Sequence, residues 1–157
     1  MHVDRYPTPQ GDPMKPNYEI RVESKIPPAE MGQIANGLAA YNASKADGDM
    51  PNYLFVTIRG DDDKVAGGVI AATYLGWLQV QAIWICDELR GQGYGTRLMQ
   101  AAEDEAVRRG CPRVFLETLS FQALPFYEKR GYVIRSTLHD FPPGGARYAL
   151  TKQLAPK

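Results

Sequence analysis

The segment ELRGQGYGTRLM, residues 88–99, sets Gly91, Gly93 and Gly95 at every second position and then runs into an amphipathic stretch. Glycine inside a helix costs about 1 kcal/mol relative to alanine, so three in five residues mark a loop shaped around something. A glycine-rich turn that feeds a helix leaves several backbone N–H groups free beside the positive end of the helix dipole, an arrangement that favours a phosphate group. The familiar nucleotide fingerprints do not fit. No GK[ST] follows, and a G-x-G-x-x-G run begun at Gly91 or Gly93 meets Thr96 or Leu98 where its third glycine belongs. A tight strand-to-helix turn with no ligand is the alternative reading of this stretch taken alone.

Other chemistry-bearing residues are sparse. Cys86 and Cys111 lie in apolar segments, outside any CxxC or disulfide-scaffold spacing, and read as small buried hydrophobes. His139 and Asp140 fall in a hairpin tip, and Asp87 and Glu88 in a solvated turn. Trp77, Trp84 and Tyr74 read as sheet packing, with an apolar substrate pocket as the alternative for an aromatic on the right face. No metal is implied.

These residues must be positioned by a small domain. A chain of 157 residues with 44% hydrophobic and 23% charged residues is long enough to bury a core and fits one domain, 1–157. Its 18 basic and 18 acidic residues cancel, which argues against a nucleic-acid or anionic-membrane surface. No apolar run reaches the roughly 18 residues of a membrane span, and the start lacks the apolar stretch of a signal peptide, so the expected location is cytoplasmic. Four prolines make residues 1–17 an expected loose arm.

Alternation predicts a strand over 18–24, and Met31, Ile34, Leu38 and Tyr41 predict a helix over 28–44. YLFVTIRG, VAGGVIAATYLG and WLQVQAIWI read as three successive strands of an antiparallel meander, joined by DDDK and LGW. After the glycine loop a helix is predicted over 96–110, with Leu98, Met99, Ala102, Ala106 and Val107 on one face and Gly110 as its stop. A strand over 113–118, a helix over 121–131 and a terminal hairpin around HDFPPGG complete a mixed, mainly antiparallel sheet flanked by helices, an α/β (α+β) fold.

At this point the chain resembles the GNAT superfamily of acyl-CoA-dependent N-acyltransferases. The family's pyrophosphate loop, [Q/R]-x-x-G-x-[G/A], is matched by Arg90, Gly93 and Gly95. A second family pattern, N-x-x-A-x-x-x-Y-x-x-x-G-[F/Y], is matched by Ala123, Tyr127, Gly131 and Tyr132, with Ser120 at the position usually held by asparagine. The resemblance is specific from Ile83 to Tyr132. It implies that the strand AIWIC diverges from the strand after the main helix, so that the pantetheine of acetyl-CoA joins the exposed edge. Backbone groups of Ile83, Trp84 and Ile85 would then face the thioester and pantetheine, the N–H of Ile83 polarising the acetyl carbonyl. The loop from Arg90 and Gly91 through Gln92, Gly93, Tyr94, Gly95 and Thr96 would hold the pyrophosphate, and Ser120 and Ala123 would border the pantetheine arm. Arg90 and Arg97 are candidates for added charge, or else solvated arginines beside a turn.

Chemistry needs two more roles. An alkyl ammonium has a pKa of about 10.4 and must lose a proton before it attacks, whereas a thiol leaving group near 8.5 departs more readily beside a donor. By motif position Tyr127 is the candidate donor, its alternative being a ring packed on the sheet. Glu117, on the strand after the main helix, is the candidate base, its alternative a structural ion pair; a water relay is a third route. The implied activity is acetyl transfer from acetyl-CoA to a primary amine, on a small molecule or peptide, by direct attack in a ternary complex. A homodimer is compatible with this. The competing reading is a non-catalytic acyl-CoA-binding or sensor module.

Overall fold

A computed structural model of the protein describes residues 18–154 and the backbone of Arg5–Tyr6. The chain separates into two compact units, Met1–Lys45 and Ala46–Lys157. In the first, strands β1 (Arg5–Tyr6) and β2 (Ile20–Arg21) pair antiparallel, Tyr6 opposite Ile20. The alternation over 18–24 therefore yields two residues of strand, because an extended segment counts as strand only where a partner satisfies its backbone. The remainder of the expected arm over 1–17 lies outside the described residues. Helix α1 (Pro28–Lys45) opens on a proline whose missing N–H is harmless in a first turn, and none of its residues is buried.

The second unit carries strands β3 (Asn52–Arg59), β4 (Val65–Tyr74), β5 (Trp77–Ile85), β6 (Arg113–Leu119), β7 (Val133–His139) and β8 (Ala146–Gln153), with helices α2 (Tyr94–Arg108) and α3 (Leu124–Lys129). Its single sheet has the order β3-β4-β5-β6-β8-β7, in which only β5 and β6 run parallel. The meander is the expected one. Leu75 and Gly76 both have positive φ, 51° and 77°, the two-residue primed turn whose twist matches a β-hairpin.

Helix α2 buries Leu98, Met99, Ala102 and Ala106 in a core with Val69, Leu78, Val114, Leu116 and Leu150. The helix stops as Gly110 directs. The N–H of Gly110 donates to Val107 and that of Cys111 to Ala106, the paired bonds of a Schellman cap closed by a glycine at φ 76°. Helix α3 starts at Leu124 rather than 121. Pro125 sits in its first turn, where a residue without an N–H removes no helical bond, and Leu119–Gln122 form a separate turn before it.

Candidate active site

Strands β5 and β6 pair only from Trp77–Val80 against Arg113–Leu116. Beyond those residues β5 continues on β4 to Ile85, and β6 continues on β8 to Leu119, so the two strands part. The parting coincides with a bulge: Ile70 faces Ala82 and Ala71 faces Val80, leaving Gln81 as the extra residue. Such a bulge adds local bend and twist to the strand that carries it.

Two clefts open there. The larger, about 720 Å³, runs from the exposed end of β5 to the start of α2 and the first residues of α3. Of the residues expected to meet acetyl-CoA, Ile83, Trp84, Ile85, Arg90, Gly91, Gly93, Tyr94, Gly95, Thr96 and Ala123 line it, and Gln92 and Ser120 do not. The Gln92 amide instead donates to the Glu88 carbonyl at 2.6 Å. Ser120 faces the start of β8, its hydroxyl accepting the Ala146 N–H at 3.1 Å. Sequence reasoning missed Leu89, Phe121, Gln122 and Phe126 on the same wall. Phe126 had a usable signal, since it adjoins Tyr127 in a motif already singled out.

The loop itself has the geometry that the glycine spacing implies. Gly91 and Gly93 adopt φ of 72° and 79°, and a Cβ placed on either would meet no atom within 4 Å, so each needs glycine for its backbone angle and presents bare backbone to open space. Gly93 is the N-cap of α2. Among the described residues, no backbone carbonyl accepts from the N–H groups of Gly91 through Thr96. Free donors at a helix N-terminus are the physical requirement for an anion site. Arg90, by contrast, is engaged by the protein: its Nε donates to the Ile85 carbonyl at 3.1 Å and its guanidinium pairs with Asp87 at 2.8 Å. It ties the loop to the end of β5. Arg97 lies over the Tyr94 ring, 4.1 Å from its centroid.

The smaller cleft, about 280 Å³, fills the gap between β5 and β6 and is lined by Gln81, Glu117, Thr118, Gln122 and Tyr127 among others. Tyr127 lines both clefts. Its ring is buried, in edge contact with Phe126 at 5.1 Å and Tyr132 at 5.6 Å. The second sequence motif explains that placement. Helix α3 ends in its own Schellman cap: Gly131 at φ 83° donates to Glu128, and the N–H of Tyr132 donates to Tyr127. Such caps bring the residue after the glycine onto the residue five before it, which here packs Tyr132 on Tyr127. Among the described residues the Tyr127 hydroxyl has no hydrogen-bond partner, yet Arg130 Nε is the only buried unpartnered side-chain polar atom among them. That hydroxyl is therefore not fully buried, and the residue that carries it lines both clefts. Burial of the ring pushes its pKa above the usual tyrosine value.

Glu117 shares the smaller cleft with Tyr127, but its carboxylate is paired with Arg147, whose guanidinium also lies over Phe141 at 5.2 Å. Neither cysteine lines a cleft; burial pushes the Cys111 thiol up, away from the thiolate form. His139 is the last residue of β7, paired with Ala146 rather than in the expected hairpin tip, Asp140 begins the β7–β8 turn, and neither lines a cleft described above. Sequence reasoning also overlooked Glu103. It stands on the buried face of α2, where it accepts the Tyr132 hydroxyl at 2.8 Å and pairs with Lys152 at 2.8 Å and Arg130 at 3.2 Å. A carboxylate inside an otherwise apolar helix stripe was the signal available.

Acetyltransferase Atu2258 of Agrobacterium fabrum is 38% identical over 99 residues, which cover 63% of this chain and 72% of its own. Blasticidin-S acetyltransferase of Streptomyces morookaense is 36% identical over 96 residues, 60% of this chain and 71% of its own. An acetyltransferase of Bacillus cereus, solved at 1.9 Å, superposes with a TM-score of 0.71 at 27% identity, over 85% of this chain and 97% of that one. The profile of the acetyltransferase (GNAT) family matches residues 17–132, a span that takes in the free N–H loop, the parting strands and the Tyr127 cap, and the chain belongs to that family of acetyl-CoA-dependent N-acetyltransferases.

Proposed function

We propose that the protein transfers the acetyl group of acetyl-CoA to a primary amine of a small molecule or peptide by direct attack in a ternary complex. The observation that carries this is the position of Tyr127, which lines both the cleft beside the free N–H loop and the gap between β5 and β6. In this reading the loop N–H groups hold the pyrophosphate, the pantetheine follows the free edge of β5, and the N–H of Ile83 polarises the acetyl carbonyl. The amine enters through the smaller cleft. Its proton leaves to Glu117 or to water there, and the departing thiolate takes a proton from Tyr127. Direct attack is favoured over a covalent acetyl-cysteine because no thiol reaches either cleft.

The test is an amine screen read by thiol release, covering polyamines, amino acids, aminoglycosides, peptide N-termini and blasticidin S, the compound in one relative's name. Intersecting initial-velocity patterns are expected; parallel ones would point to a covalent intermediate. A sensor module would bind acetyl-CoA and acetylate nothing.

Acetyl-CoA at about 100 times its Kd should raise the melting temperature by roughly 5–10 °C, since a ligand of the folded state alone then adds about 2.7 kcal/mol. ATP and NAD at the same concentration should do far less. Equal shifts from either nucleotide, with none from CoA, would reject the loop assignment.

Gly93→Val should weaken CoA binding about tenfold or more by calorimetry, because valine strains a φ of 79° by about 1–2 kcal/mol and projects a branched side chain from bare backbone. Full affinity in a folded Gly93→Val variant would make the loop purely structural.

A further inference from the structure

On the face of the sheet turned away from α2, strands β3, β4 and β5 form an apolar slot of about 270 Å³. Nothing assigned above fills it. We propose that this slot holds the body of the acceptor, so that the protein acetylates primary amines carried two or three bonds from an aromatic ring or compact aliphatic group in preference to polyamines and aminoglycosides. The proposal rests on the acetyl-transfer reading and names the acceptor class of that same site.

The slot follows from the strand register. Phe55 stands opposite Ile70 and Ile70 opposite Ala82, while in the next row Thr57 stands opposite Gly68 and Gly68 opposite Trp84. Residues opposite one another project from the same face of a sheet. The small residues Gly68 and Ala82 are thus set among Phe55, Ile70 and Trp84, and the slot is the depression between them. Its floor is fixed by the backbone, because a Cβ on Gly68 would meet the Val56 carbonyl oxygen at 2.5 Å. Leu54 and Val69, the chain neighbours of Phe55 and Ile70, belong to the core beneath α2, so strand alternation places the slot on the opposite face.

Its position ties it to the reaction. Ala82 lines both the slot and the gap between β5 and β6, and Trp84 lines both the slot and the main cleft. Val114 and Leu116 are core residues, so alternation along β6 puts Glu117 on the same face as the slot. An amine entering the gap from that face has Glu117 on one side and the slot on the other. Adjacent strands lie about 4.8 Å apart, which is the reach of two or three bonds from a ring in the slot to an amine at the gap.

The lining selects the chemistry. Phe55, Ile70 and Trp84 are 64%, 44% and 55% exposed, and large apolar side chains left open around one depression mark a binding site. None of the residues that line it is charged, and Thr57 is the only one with a polar side chain. Nothing there meets the further charges of a polyamine or the hydroxyls of an aminoglycoside, whose desolvation would go uncompensated. A ring gains by leaving water. An apolar cavity of about 150 Å³ is enough for benzene, so about 270 Å³ takes one ring or a fused pair.

The experiment compares kcat/KM for 2-phenylethylamine, ethylamine, spermidine and kanamycin by thiol release in the wild type, Phe55→Ala and Ile70→Thr. Acetyl-CoA KM, thermal melts and light scattering accompany each protein. The wild type should favour 2-phenylethylamine over each of the others by about tenfold or more, the usual worth of a buried ring. Each variant should cut that preference about threefold or more, leaving the ethylamine rate, acetyl-CoA KM and Tm nearly unchanged, since both side chains are exposed. Spermidine or kanamycin used as well as 2-phenylethylamine, or variants that slow ethylamine equally, would overturn the slot while leaving acetyl transfer standing. So would a fall in mass in Phe55→Ala, which would make the slot a contact between copies. Acetyl-CoA binding without transfer to any amine would overturn both readings.

Discussion

Glu103→Ala lowers the stability of the folded protein by about 3–5 kcal/mol, a fall in Tm of roughly 6–20 °C. Glu103 is 3% exposed, and its carboxylate receives the Tyr132 hydroxyl, Lys152 and Arg130. Alanine removes that anion and leaves two cations in a poorly hydrated position with nothing to balance them. The expense of an orphaned buried charge exceeds the net worth of the intact cluster, because burying the ions already carried a desolvation penalty. The effect should therefore shrink when a cation is also removed. In a Lys152→Met background, Glu103→Ala should be milder by more than about 1 kcal/mol, a coupling within the usual range for residues in one network. Denaturant melts of the four proteins measure it. Strict additivity would mean that Glu103 acts by volume alone.

This cluster also shows where the sequence stops being legible. Glu103 lies 29 residues from Tyr132 and 49 from Lys152, and no local pattern connects them. What the sequence does report is local and repetitive. The meander is read from runs bounded by turn residues, and both helix ends from Gly110 and Gly131, because a residue at positive φ closes a helix whatever surrounds it. The glycine loop is legible for the same reason, Gly91 and Gly93 being required by their own backbone angles. Side-chain partners are another matter. Arg90 matches the family pattern yet bonds Asp87 and Ile85, and Ser120, which stands where the second motif usually has asparagine, serves the start of β8. A motif fixes which residue stands at a position, whereas hydrogen-bond partners depend on strands that arrive from elsewhere in the chain. The strand expected over 18–24 fails likewise, since alternation cannot show how far a partner extends.

Tyr127→Phe slows the chemical step about 10²-fold or more while leaving CoA affinity and Tm close to wild type. The ring makes the packing contacts, edge-on to Phe126 and Tyr132, and phenylalanine keeps them. Among the described residues the hydroxyl has no hydrogen bond to lose, so stability gives no reason for a large effect. Catalysis does. A thiolate leaving group near pKa 8.5 gains from a donor within reach, and Tyr127 is the tyrosine that borders both clefts. Burial raises its pKa above the usual value near 10, so it stays protonated through neutral and mildly alkaline pH. An acid of that kind fails only as pH climbs through the raised value. The wild-type rate of the chemical step should therefore hold through neutral and mildly alkaline pH and fall only above the usual tyrosine range, and the Phe variant should lack that fall. Single-turnover acetyl transfer to any competent amine, measured beside CoA affinity, separates the two roles. A variant within about twofold of wild type would leave Tyr127 as packing and pass the proton to water, since loss of a general acid is a far larger effect.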